Sequence, residues 1–485
     1  MSSEALTTQE AVLALGRLTY GPTVETLKQL TGKNLSLWLS GELSEVKPEQ
    51  HPLLNGKTAF LTQRLNLQQT FQHPNFRRQT QNISEEAAAF TTIKRFYSTN
   101  QVLETLVEFM SDYVPVPLYS PADWARADYD KVIRNNVLGT YPKLLAQLSL
   151  HPAMLYFLNG QTNTAVQPNE NFGRELLELF SITPEAGYSE KDVLNVARMM
   201  SGISFSLIDF QTRATPSEHF FGRISVQGFT HANARTSDSK VILGRAQQMI
   251  NHLAKQPATA EAFSIRMARR YLNDDPSPDL IQAMKSTYIK TSGSIPGVLT
   301  TLVAHPDFLA TPTVKVKRPA EHLASTVRAL GLEISENLLE DKFENGVLVI
   351  DALKLVLAIL NQQGHLPFDW DTPDGFPEHA SAWSTFGGQI QRWNMSTKLS
   401  QHNLKNIFSE PDLDREILGY STMDDLVTRV SRRLLSSPLR AFDQKEIVGL
   451  LTKNLNKQLP DQQLRERMSR MAFALVMATE EWNLR

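Results

Sequence analysis

The densest run of chemically competent side chains is Pro168-Asn-Glu-Asn-Phe-Gly-Arg-Glu-Leu-Leu-Glu-Leu-Phe180. Phe172, Leu176, Leu179 and Phe180 recur with a 3.6-residue period and predict the apolar face of a helix. Asn169 suits the N-cap, where its side-chain oxygen accepts from a backbone N–H. Glu170 then sits beside the positive end of the helix dipole. The polar face carries Asn171, Arg174, Glu175 and Glu178. Side chains three or four residues apart on a helix have Cβ atoms about 5–6 Å apart. Two carboxylates that close can share a proton, coordinate a cation or divide acid and base work. The same spacing suits a solvated face in which Glu178 pairs with Arg174 and Glu175 with an arginine of a neighbour.

Other chemically able residues lie further along. Tyr188-Ser-Glu-Lys-Asp-Val193 opens a helix with Ser189 and Asp192 at capping-box spacing, and its Arg198 is free to reach the preceding glutamates. His231 stands in a polar loop, where an imidazole serves as ligand, proton shuttle or plain hydrogen-bonding residue. Arg266, Arg269 and Arg270 share one helix. Lys315, Lys317 and Arg318 run into a helix opened by Pro319, a geometry suited to an anion. Solvated or ion-paired surface explains both basic clusters equally. The aromatic loop Pro367–Trp383, followed by Arg392-Trp393, can stack on a sugar, cover a cleft or pack upon itself.

The catalytic set expected from this is Glu175 and Glu178 with Arg174, Arg198 and His231. Asn171, Tyr188, Lys317, Arg318 and Trp383 are expected to bind substrate. Two glutamates on one helix project the same way, whereas two-carboxylate glycosidases flank the scissile bond, so a single-acid or cation-assisted mechanism fits better. The first functional reading is an enzyme, a hydrolase acting on a glycan or other polymer. The second is a non-catalytic binding or assembly partner. A metal held by Glu175, Glu178 and His231 is a third arrangement, though the sequence assigns no metal-ligand set and names no cofactor. His-Glu-x-x-His, Gly-x-Ser-x-Gly and phosphate-binding glycine loops are all absent.

The elements that position these residues read as mainly α, a large multi-helix protein with a small β-hairpin or loop insertion near 203–243. Short amphipathic pieces open the chain, and 50–84 reads as a long connection or a mobile arm. One long helix is predicted from Glu85 to about Tyr113, stopped by Pro115 and Pro117. Helices follow at about 129–138, 141–150, 170–181 and 190–201. They resume at 245–255, 257–272, 278–289, 295–304 and 319–330, and three more close the chain. Residues 333–347 and 363–388 read as loops. The expected lobes are 1–202, an insertion at 203–244, and 245–485, forming one continuous unit. Pro142–Leu155 matches Pro296–Leu309 at six of fourteen positions, the pattern of either a duplicated helix–loop–helix or two helices sharing ordinary start and stop signals.

With 485 residues, 41% hydrophobic and 21% charged, the chain suits a globular fold of two or three packed lobes. Forty-nine Lys and Arg nearly balance fifty-one Asp and Glu, so no whole-molecule charge points to nucleic acid. The absence of cysteine excludes disulfides and thiolate chemistry. No run reaches the roughly 18 apolar residues of a transmembrane span, and Met1–Pro22 lacks a basic n-region followed by an apolar h-region. The expectation is therefore either a cytoplasmic protein or one whose export signal was removed before this numbering.

The ordered segments resemble a bacterial family catalogued as domain of unknown function 1800. The resemblance is carried by Arg17-Leu-Thr-Tyr-Gly-Pro22, His151-Pro-Ala-Met-Leu155, Asn169–Phe180, Gly187–Val193, Ala197-Arg198, the His231 loop, Lys240-Val-Ile-Leu-Gly244, Lys315-Val-Lys-Arg-Pro319 and Pro373-Asp-Gly-Phe-Pro377. It departs from the family at Ser201-Gly-Ile203, where relatives read Thr-Gly-Trp, and at His231-Ala232, where they read His-Asp. If that aspartate works in relatives, this member has altered or lost activity. The resemblance implies bacterial origin, an exported periplasmic or secreted protein (otherwise a cytoplasmic one), and frequent company with a sulfatase-like envelope protein. It implies no established reaction.

Overall fold

The computed structural model describes residues 5–55, 60–72, 80–334, 351–453 and 462–485. It is mainly α, and its strands within those residues form two small antiparallel hairpins. Strand β1 (Ile203–Ser206) pairs with β2 (Gln211–Ala214), and β3 (Ile224–Val226) pairs with β4 (Phe229–His231). His219-Phe-Phe221 is coil between the two hairpins. The next helix begins at Ser239, capped by the Asp238 side chain, earlier than its periodicity suggested.

The predicted helices at 170–181 and 190–201 appear as Glu170–Glu178 and Glu190–Met200. Those at 257–272 and 319–330 appear as Pro257–Tyr271 and Pro319–Ala329. The single long helix does not form. Helices Thr80–Tyr97 and Gln101–Tyr113 are separated at Ser98-Thr99-Asn100. Glu49 holds the break by accepting from the Ser98 hydroxyl (2.8 Å), the Thr99 N–H (2.9 Å) and the Asn100 amide (3.2 Å). The Thr99 N–H, which the break removes from the helical ladder, and two side-chain donors are thus satisfied by one remote carboxylate. Residues 52–72 contain three short helical pieces, whereas 73–79 fall outside the described residues. The predicted loop at 333–347 lies almost wholly outside them too. Beyond residue 385 the described residues contain six helices, four of them long, where three more were expected to close the chain.

The internal match has a structural counterpart. The starts of helices Tyr141–Ser149 and Ile295–Ala304 exchange backbone hydrogen bonds: Tyr141 N–H donates to Gly293 O (2.8 Å), and Ile295 N–H donates to Gly139 O (3.0 Å). Both helices end before a His-Pro whose imidazole Nδ1 accepts the N–H two residues on, at 3.2 Å for His151 and 3.3 Å for His305. Gly293 is required at this contact because φ is +85° and a Cβ would come 2.6 Å from the Pro142 ring.

Two hydrophobic cores result. One gathers buried side chains from Leu6 to Phe308. The other joins Tyr20 and the Thr80–Tyr97 helix to residues 320–482. Helix Gln101–Tyr113 is buried on nearly every face, although it carries Glu104 and Glu108. Those charges require internal partners.

Candidate functional site

The polar helix Glu170–Glu178 is fixed at its start by one buried side chain. Asn163 accepts the Asn169 N–H (2.8 Å) through Oδ1 and donates through Nδ2 to Ala197 O (2.9 Å) on the next helix. Asn169 caps the helix by accepting from Phe172 N–H. Gly173 lets helix Glu190–Met200 approach closely, because a Cβ there would lie 2.6 Å from Val193 O. The apolar face, Phe172, Leu176 and Leu177, enters the first core and turns the glutamates outward.

Glu178 accepts a 2.7 Å hydrogen bond from the Tyr188 hydroxyl. It lines a cleft of about 520 Å³ with Tyr113, Glu185, Glu261, Arg266 and Arg269. Arg266 stacks over the Tyr113 ring at 4.4 Å and donates to the backbone oxygen of Asp374 (2.9 Å). The Pro373-Asp-Gly-Phe-Pro377 turn therefore reaches the site from the far part of the chain. Gly375 makes that approach possible, with φ +74° and its α-carbon against the Asp112 carbonyl, where no Cβ fits. Glu175 is half-buried, and its pKa is raised by burial and by the neighbouring Glu178 and Asp374 charges, against the pull of Arg174. A carboxyl so placed holds its proton to higher pH than a free glutamate does.

The other expected residues are distributed as follows. Asn171 is exposed on the glutamate face. Arg174 turns outward to a bidentate pair with Glu190 (3.0 and 2.7 Å), a surface contact that contributes little stability. Arg198 lies over the Phe220 ring at 4.8 Å. His231 stacks on Phe229, accepts from Asn233 N–H (2.8 Å), and has its pKa lowered by burial and Arg245. Neither Arg198 nor His231 is joined to the glutamates by these contacts. Among the described residues no group of three or more His, Asp or Glu is placed to hold a metal ion. Trp383 is buried against His365 and Phe376 and donates to Pro377 O (2.9 Å), packing the loop from within. Ile203 is buried in the first core, and Ala232 is exposed.

Lys317 and Arg318 are buried in an ionic cluster at the interior end of the Pro319 helix. Glu108 accepts from Arg95 (3.0 Å), Arg270 (2.8 Å) and Tyr20, and pairs with Arg318 at 2.8 Å. Arg318 also bonds Asp112 (2.7 Å), while Glu321 joins Arg318 (3.3 Å), Arg485 (3.2 Å) and Arg270. Burial dominates for Asp112. With Glu108 and Glu378 nearby it pushes the carboxyl up to about 6 despite Arg318. Lys317 sits 3.4 Å from the Trp482 ring centre. Burial brings its amine down to about 7. The anion that the Pro319 helix start was expected to attract is supplied internally, by Glu108, Asp112 and Glu321.

Arg95, Glu108 and Glu321 gave no sequence signal, since the first two sit in a run read as one long helix and Glu321 in a helix read from its Pro319 start. Asp374 was legible only as a member of the Pro-Asp-Gly-Phe-Pro turn. The segments Arg17–Pro22, Lys315–Pro319 and Pro373–Pro377 meet at this cluster and beside the glutamate cleft. The chain belongs to the family described as protein of unknown function (DUF1800), which matches residues 13–484. No curated protein and no solved structure matches it.

Proposed function

We propose that the chain is an enzyme acting on a hydroxylated polymer such as a glycan at the cleft beside Glu178, with Glu175 as the acid. The observation that carries this reading is the unequal pair of glutamates. Glu178 is held by the Tyr188 hydroxyl at the cleft wall, while the half-buried Glu175 next to it on the same helix has its pKa raised by burial and by the Glu178 and Asp374 carboxylates. A carboxyl that holds its proton to higher pH than a free glutamate is suited to the acid's role. Arg266 and Arg269 offer cationic donors to an anionic or hydroxylated chain in the same cleft. Both glutamates project from one helix, so Glu175 would protonate a leaving oxygen without a second carboxylate on the opposite face. The proposal includes export to a bacterial envelope beside a sulfatase-like protein, which subcellular fractionation and co-purification test.

The activity test is release of reducing ends from purified peptidoglycan, chitin and β-glucan. Glu175→Gln and Glu178→Gln should abolish release while leaving the urea unfolding midpoint unchanged. Equal loss of stability and activity would instead make the glutamates structural.

A further inference from the structure

A second groove, of about 640 Å³, lies apart from that site and does not depend on its assignment. The antiparallel Val316–Leu484 bridge forms its floor, and helices Phe386–Ser400 and Ala441–Lys453 contribute its walls. On the first helix Phe386, Ile390 and Trp393 recur at i, i+4 and i+7 and are 80%, 38% and 36% exposed. Phe442, beside Asp443 on the second, is 72% exposed. Phe386 and Trp393 line the groove, and Ile390 and Phe442 are exposed outside its lining, so its wall carries an apolar stripe in helical register rather than a single scattered side chain.

The charges lining the groove decide what fits it. Asp443, Glu446 and Glu480 stand against one guanidinium, Arg440. Arg440 is already engaged by Asp443 (2.7 Å), Glu480 (3.1 Å) and Glu481 (3.3 Å). The lining therefore presents carboxylate in excess around an apolar stripe. A sugar could use Ser384, Gln389 and Asn483 as polar partners but would leave the excess carboxylate charge and most of the helical stripe unmatched. A helix laying leucine-type anchors along the stripe, with lysine or arginine at its margins, matches both the register and the charge. We infer that this groove docks a basic amphipathic helix of another protein. The floor lends it rigidity. Val316 and Leu484 face the groove, while their neighbours Lys317 and Arg485 border a small internal cavity with Arg270 and Glu321.

The test uses the full chain and fluorescein-labelled peptides of about 18 residues, built from leucine and lysine in helical register. A glutamate-for-lysine counterpart and labelled cellohexaose serve as competitors in kind. Fluorescence anisotropy should show saturable binding of the lysine peptide, at least about tenfold tighter than the glutamate peptide. Phe386→Ala/Trp393→Ala should weaken it by about tenfold or more, with an unchanged unfolding midpoint because both rings are at the surface. Glu446→Gln/Glu480→Gln should weaken it as well and flatten its salt dependence. Absence of lysine-peptide binding, equal affinity for the two peptides, indifference to the ring substitutions, or binding of the oligosaccharide instead would each overturn the inference.

Discussion

Replacing Glu108 by Gln removes the one carboxylate that Arg95, Arg270, Arg318 and Tyr20 share. The three arginines are not left in equal positions. Arg270 keeps Glu321, and Arg318 keeps Asp112 and Glu321, whereas Glu108 is the only ion-pair partner of Arg95 among the described residues. Two Arg95 nitrogens, Nε and Nη1, already lack hydrogen-bond partners, so beyond its place over the Tyr20 ring the guanidinium has no alternative hydrogen bond among the described residues to fall back on. Removing one member of a buried ion pair costs about 3–5 kcal/mol, because a desolvated charge is left uncompensated. Glu108→Gln should therefore lower unfolding free energy in urea by that amount. Since the damage is concentrated at Arg95, adding Arg95→Met should recover part of the loss. Urea denaturation followed by tryptophan fluorescence measures both. A single variant within about 1 kcal/mol of the parent would refute the reasoning. So would a double variant no more stable than the single.

Further predictions concern the site, its supports and pH. Glu178→Gln removes a negative neighbour of Glu175, so the Glu175 pKa should fall towards the ordinary glutamate value when titrated by carboxyl ¹³C NMR. Gly173→Ala puts a methyl 2.6 Å from Val193 O and should destabilise the chain by about 1–3 kcal/mol, readable in urea, by forcing the two site helices apart. Gly375→Ala combines an unfavourable φ with overlap on the Asp112 carbonyl. It should displace Asp374 and thereby also lower the Glu175 pKa, seen in the same titration. Lys317 carries an amine lowered from 10.5 to about 7 by burial, so between those values the unfolded chain binds more protons than the folded one. Its contribution to stability therefore rises with pH across that window, and Lys317→Met should flatten the rise in urea midpoints measured from about pH 7 to pH 10.

Helix periodicity made most of the fold legible, because an amphipathic helix announces its buried face in its own sequence. Phe172 and Leu176 behave this way, as does the Pro319 start of its helix. It failed between Glu85 and Tyr113, where both halves are helical but Glu49, some fifty residues upstream, satisfies the break at Ser98–Asn100. No local pattern encodes so remote a partner. The same limit governs the charges. Lys317 and Arg318 read as an exposed anion site because a basic run beside a helix start is usually solvated, whereas Glu108 and Asp112 come from a helix read for its apolar residues. The contact of Tyr188 with Glu178 joins two residues singled out in the sequence. Asp374 and Arg266 complete their surroundings only through tertiary folding, since Gly375 brings a loop from two hundred residues away onto the same cleft.

Reducing-end release by the parent chain and by Glu175→Gln, at matched unfolding midpoints, tests the central proposal most directly. The account predicts release from at least one of peptidoglycan, chitin and β-glucan, and its loss in the folded variant. No release from any of the three by the parent, or undiminished release by Glu175→Gln, would contradict it.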